Sequence, residues 1–279
     1  MSVGVLLVVL AGALLHATWN LIVKAGHDTR LTTAGICIAA GLIAAVALPF
    51  FPTPAPASWP YLAASSATEV LYGVLLAAAY RVGDLSHAYP VMRGSVPLLV
   101  AIGSGVLIGE QLSAPMWIGV GLISGGVFSL VLDARSQGHS AVATRLALVN
   151  ALVIAAYTTL DGLGVRASGH AFAYTLWLSL LVSIPWLIWV VARRRLHRLV
   201  RWRPLIGSAA IGGACTLGSY SLALWAMTRA PVAAVAAVRE TAIVFGTVLG
   251  AIVLHERVTR VRALAALAIA LGVWAIHAR

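Results

Sequence analysis

Four charged side chains stand where an apolar chain has no use for charge. Glu69, Arg93, Arg239 and Glu240 each interrupt a run long enough to cross a bilayer. An ionisable group at that depth costs about 2.5 to 3.5 kcal/mol on insertion scales, and it faces a partner or a water-filled cavity. The four signs sum to zero. In one arrangement they pair with each other and only tie helices together. In the other they hold a zwitterion, because a guanidinium fork binds a carboxylate through two hydrogen bonds and a carboxylate accepts from an ammonium.

Helical spacing gathers further polar and aromatic groups around these charges. Glu69, Tyr72, Leu76 and Tyr80 are three or four residues apart, as are Ser86, Tyr89, Arg93 and Pro97, and Gly12, His16, Trp19 and Asn20, so each set shares one helix face. These are candidate cavity-lining faces. Later in the chain Thr158 and Asp161 take the places of His16 and Trp19, and Tyr157, Tyr220 and Trp225 add aromatic surface. Aromatic residues also serve as packing or as interface belts, the plainer reading for Trp177, Trp186, Trp189, Trp202 and Trp274. His16 alone could be a histidine satisfied across helices; its case rests on Asn20 one turn away.

No enzyme signature accompanies these residues. His255-Glu256 lacks a second histidine four residues on, and there is no glycine-rich phosphate loop and no CxxC pair, so no catalytic residue, metal site or cofactor is expected. Cys37 and Cys215 both lie in apolar runs, where cysteine acts as a small hydrophobe. An ATP-driven pump would need a nucleotide-binding domain for which the chain has no room.

The elements that must position these groups follow from composition. The chain has 279 residues, 61% hydrophobic and 10% charged, with a mean hydropathy of +0.97. That describes an all-α integral membrane protein. A spanning helix needs about 20 apolar residues, and the runs 2–24, 31–51, 58–80, 85–108, 114–132, 142–166, 171–192, 204–228, 231–254 and 259–277 meet that need. Ten transmembrane helices result. The first run lacks a basic leader and a small-residue cleavage site, so it reads as a retained helix. Proline marks the connectors at 52–56, Pro115, Pro204 and Pro231, and Pro90 and Pro97 are expected to interrupt the hydrogen-bond ladder of the fourth helix beside Arg93 and let it bend. Gly105/Gly109, Gly121/Gly125 and Gly246/Gly250 are spaced for close helix packing.

The chain reads as one unit used twice. Arg93 falls on Arg239, Ser95 on Thr241, Glu110 on Glu256 and Ser113 on Thr259; Tyr72 to Arg81 lies over Tyr220 to Arg229; Lys24 lies over Arg166. The longest polar link, 133–145, separates residues 1–133 from 141–279, five helices each. An odd number makes the second copy enter from the opposite side, giving two inverted five-helix repeats, from which many transporters build a midplane site.

Orientation follows from basic residues. Of the 19 Lys and Arg, all but Arg93, Arg166, Arg229, Arg239 and Arg279 fall in connectors on one side. Positive residues collect on the cytoplasmic side, so both termini are expected in the periplasm. The net charge of +11 is therefore read as a topology signal rather than as a nucleic-acid surface, and the loop 193–203 likewise.

The segment His16-Ala-Thr-Trp-Asn20 ending at Lys24, the third helix closing on Ala77-Ala-Ala-Tyr-Arg81, and the fourth running through Pro97 to Gly109-Glu-Gln-Leu112, with Glu256-Arg-Val-Thr259 as its mate, resemble the EamA-type exporters of the drug/metabolite transporter superfamily, most closely the YddG-type amino-acid exporters. The resemblance covers essentially the whole chain. It implies a central cavity between two repeats, alternating access without ATP, and amino acids or some cationic drugs as substrates. The sequence departs from it in two ways: the sixth helix lacks the tryptophan of the first, and the superfamily is usually described with both termini inside. The expected protein is a monomeric exporter in the cell inner membrane, with an amino acid or similar small metabolite as substrate and the lipid bilayer as surroundings. His16, Trp19, Asn20, Glu69, Tyr72, Tyr89, Arg93, Tyr157, Asp161, Tyr220, Trp225, Arg239 and Glu240 are the candidate substrate-binding residues. Export of lipophilic or quaternary cations is the alternative, and a lipid-linked sugar flippase or membrane scaffold a third.

Overall fold

The computed structural model describes residues 1–26, 28–82, 85–133, 141–195, 203–255 and 257–278. Glu256, most of the arginine-rich loop and the link between the halves lie outside the described residues, as do the side chains of Tyr80 and Ser86. The described chain is helical: α1 (Val3–Ala25), α2 (Thr29–Ala47), α3 (Trp59–Val82), α4 (Leu85–Leu107), α5 (Ala114–Ser129), α6 (Ala141–Ala167), α7 (Ala171–Ala192), α8 (Arg203–Met227), α9 (Val232–Arg239), α10 (Thr241–Val253) and α11 (Arg260–His277). Helix is what lipid demands, since each backbone donor then finds its acceptor within the segment. Eight described stretches are long and apolar enough to cross a membrane, α9 and α10 together making one of them. Polar side chains close the ends. Asp28 accepts from the Leu31 N–H at 3.0 Å and starts α2, and the His170 ring accepts from Ala173 N–H at 3.2 Å and starts α7. Gly109, at φ +75°, turns the chain out of α4, a left-handed conformation that glycine adopts without penalty.

The packing has an exchange symmetry. α3 lies along α6 and α8 along α1; α4 rests on α6 while the α9–α10 span rests on α1; α2 meets α7, and α5 meets α11. Replacing each span by the one five further on maps these pairings onto one another. The ends agree with an even number of crossings, because His277 Nδ1 lies 3.2 Å from the Met1 carbonyl oxygen. Residues Val232 to Val238 of α9 are all buried, whereas Val46 is 72% and Trp274 69% exposed on outer helices. A helix apolar all round sits in the middle, and the exposed apolar band suits lipid.

One expectation is qualified and another corrected here. Helix α4 continues from Leu85 to Leu107 with both prolines inside it, each leaving one rung of the ladder without a donor. The helix end inside a span lies in the ninth, at Glu240, which has no proline. There the Glu240 N–H bonds to the Ala237 carbonyl at 3.0 Å, three residues back, and the Thr241 hydroxyl takes the Val238 carbonyl at 2.8 Å. A tightened turn and a competing hydroxyl end the regular ladder. Its mate Ser95 instead bonds the Val91 carbonyl, four residues back, at 2.8 Å, and α4 continues past it. The glycine spacing also misled: Gly121, Gly125 and Gly246 face open space, while Gly119 and Gly272 hold α5 against α11, a Cβ on Gly119 standing 2.6 Å from the Gly272 carbonyl oxygen.

Candidate functional site

The interior charges come together where α4 crosses the break in the ninth span. Arg93 reaches Glu240 with both donors of its fork: Nη2 lies 2.7 Å from Oε1, and Nε donates to Oε2 at 3.1 Å. The side chains are 15% and 2% exposed. This bidentate pair joins the first half of the chain to the second, and its geometry is the kind that offsets the cost of taking two charges out of water.

Arg239, the adjacent residue, is held differently. Its guanidinium carbon lies 5.1 Å from the centre of the Tyr220 ring, and among the described residues no carboxylate comes within ion-pair distance of it. Such a cation–π contact engages the charge of the guanidinium without taking up its N–H groups as hydrogen-bond donors. Tyr220 is fixed in turn by donating its hydroxyl to Asp161 Oδ2, and the other Asp161 oxygen accepts from the Tyr174 hydroxyl at 3.1 Å. Asp161 and Tyr174 are both fully buried. Glu69 is half-buried and faces Asp161, Arg239 and the Tyr220 hydroxyl.

The aromatic candidates surround these charges. Tyr72 and Tyr157 meet edge to face with ring centres 6.1 Å apart, and Arg93 neighbours Tyr72, Tyr89 and Tyr157. His16 faces both Arg93 and Arg239. The Trp19 indole donates to His16 Nδ1 at 3.4 Å, while among the described residues the Asn20 amide bonds to the His16 backbone carbonyl, at 2.8 Å, and not to its imidazole. Trp225 stacks with Arg229, 5.5 Å away, nearer the end of α8. His16, Tyr72, Tyr89, Tyr157, Tyr220 and Arg239 converge from both halves, yet each keeps part of its surface accessible.

Sequence reasoning missed Tyr174, and its signal was weak: a lone hydroxyl in an apolar run. It also gave Glu110 and Arg166 no role beyond repeat mates. Arg166 Nη2 lies 2.6 Å from Glu110 Oε1, and its Nε and Nη2 also donate to the Met227 and Ala230 carbonyls at 2.8 and 3.1 Å. The Glu110 carboxylate in turn accepts from the Val232 N–H at 2.9 and 3.0 Å. One carboxylate thus caps the N-terminus of α9 while one guanidinium satisfies carbonyls at and just past the end of α8.

Comparison with known proteins gives three findings. Residues 143–277 match the sequence model of the EamA-like transporter family. No curated protein matches the chain. A solved crystal structure of a protein is similar over 99% of this chain and 96% of its own, with a TM-score of 0.77 at 17% identity, a likeness of fold. The second half of this all-α integral membrane protein is thus similar to an EamA-like transporter domain, a unit of membrane transporters of small molecules.

Proposed function

We propose that the protein exports amino acids or related small metabolites across the cell inner membrane by alternating access, without ATP. The substrate sits among the interior charges, its carboxylate towards the arginines and its ammonium towards the carboxylates. The observation that carries this reading is the convergence of Arg93, Arg239, Glu69, Asp161 and Glu240 from both halves of the chain. Residues 1–133 act as the first copy of the EamA-like unit and 141–279 as the second, a division supported by the exchange symmetry of the packing. The distribution of basic residues supports a periplasmic location for both termini.

Uptake into proteoliposomes tests it, using a panel of the twenty amino acids without nucleotide. Flux of at least one amino acid that falls in both Arg239→Gln and Glu69→Gln is the expected result. Flux unaffected by both substitutions, or no amino-acid flux at all, overturns it. One observation favours a second reading. The cluster has more carboxylates than guanidinium groups, and the Tyr72–Tyr157 pair offers ring faces, as export of a quaternary cation would use. Tetraphenylphosphonium flux without amino-acid flux would select that reading.

A further inference from the structure

The two arginines cannot serve a substrate carboxylate equally, since one already holds a carboxylate of the protein. Arg93 already gives Nη2 and Nε to Glu240 at 2.7 and 3.1 Å, a pair that offsets its charge. Arg239 has a cation–π contact with Tyr220 and, among the described residues, no carboxylate within ion-pair distance. The carboxylates divide in the same way. Glu240 belongs to Arg93, and Asp161 accepts from Tyr174 and Tyr220. Glu69 has no ion-pair partner among the described residues, though Arg239 and the Tyr220 hydroxyl lie near it.

We infer that Arg239 alone reads the substrate carboxylate and Glu69 the ammonium, while Arg93–Glu240 is a clamp between the two halves. The inference rests on the amino-acid reading above and assigns its selectivity. Tyr174, Asp161 and Tyr220 form a chain of contacts that ends under Arg239, so Asp161 and Tyr220 are positioning residues. Tyr220 holds the Arg239 guanidinium against its ring, and Asp161 fixes Tyr220. A zwitterion inserted between Arg239 and Glu69 replaces their long-range attraction with two short charge-assisted contacts. An amine without a carboxylate leaves Arg239 unpaired, and an acid without an ammonium does the same to Glu69. Both are disfavoured for the reason that any polar site disfavours a ligand lacking one of its partners.

The experiment compares leucine, phenylalanine and methionine with the amines that their decarboxylation gives, measuring each as a competitor and as a transported solute in proteoliposomes. Wild type is expected to prefer the amino acid by about ten- to a hundredfold, the usual discrimination for one charged hydrogen-bonded group. In Arg239→Gln the preference collapses towards parity, and in Arg239→Lys, which keeps the charge without the fork, it falls part of the way. The double variant Arg93→Gln/Glu240→Gln slows amino acid and amine alike and keeps their ratio. Tyr220→Phe keeps the ring but loses the bond to Asp161, and lowers the ratio by a fewfold. Size-exclusion profiles confirm that each variant is folded, and Arg239→Lys stands in for Arg239→Gln if the latter aggregates. If the Arg239 variants keep the wild-type ratio, or if the Arg93/Glu240 pair is what abolishes it, the assignment is overturned while the amino-acid reading stands. If wild type carries amines but none of the three amino acids, both fall together.

Discussion

At the scale of single residues, the interior charges differ in what they contribute to stability. Glu240 is almost wholly buried and bonded twice to Arg93, so removing its charge strands a guanidinium inside the bundle. Glu240→Gln is therefore expected to destabilise the protein by about 3 kcal/mol, as for other buried pairs broken on one side. Replacing both partners, as in Arg93→Leu/Glu240→Leu, should recover most of that loss because no unpaired charge remains. Thermal unfolding of the purified protein in detergent checks this, and a double variant no more stable than the single would show that the pair acts through something besides its charge. Asp161 differs in depending on neutral donors. Loss of one tyrosine hydroxyl in Tyr174→Phe should cost about 1 kcal/mol. The sequence made these charges conspicuous as exceptions in apolar runs, but it left their partners open. Which carboxylate Arg93 takes depends on the relative register of α4 and the ninth span, which come from different halves, and no local periodicity encodes that register.

At the scale of elements, two kinds of contact decide where helices sit. Where α5 meets α11, a Cβ on Gly119 would stand 2.6 Å from the Gly272 carbonyl oxygen, closer than real contacts allow. Gly119→Ala should push the helices apart at a cost of about 1 to 3 kcal/mol. Gly121→Ala and Gly125→Ala meet nothing within 4 Å and should be neutral, or stabilising by up to about 1 kcal/mol through helix propensity. A thermal melt of the three variants separates the faces, and equal effects would contradict the packing described. The spacing of glycines pointed to the wrong pair because a spacing of four recurs on every face of a helix, and only the partner selects one. The other contact is the Glu110 carboxylate on the first N–H of α9, with Arg166 beside it. Glu110→Gln keeps the shape but loses the charge at a helix N-terminus and the ion pair, an expected cost of about 1 to 2 kcal/mol. Arg166→Gln should cost a similar amount. The double variant should cost less than the sum, which is the signature of a shared contact.

For the whole molecule, the number of crossings and the side on which the chain ends are one problem. Hydropathy located the spans because lipid leaves helix as the only economical form for each run. The interrupted ninth span escaped prediction because its break comes from a hydroxyl and a tightened turn rather than from proline. The contact between His277 and the Met1 carbonyl places both ends on one face, and chain direction places Glu110, Arg166 and Val232 on that face too. Lys24, Arg30 and the start of the arginine-rich loop then lie on the opposite face, where Arg195 reaches Asp28 at 3.4 Å. Since positive residues stay cytoplasmic, a cysteine placed at Ser2 or Ala278 should react with a membrane-impermeant maleimide in intact cells, and one at Arg194 only after permeabilisation. Wild type, whose Cys37 and Cys215 lie within spans, supplies the background. The opposite labelling pattern would invert the orientation and leave the fold untouched, since the bundle is the same from either side. Labelling of Ser2→Cys but not Ala278→Cys in intact cells would do more damage, because a chain whose ends lie on different sides crosses an odd number of times and cannot have two equal halves of five.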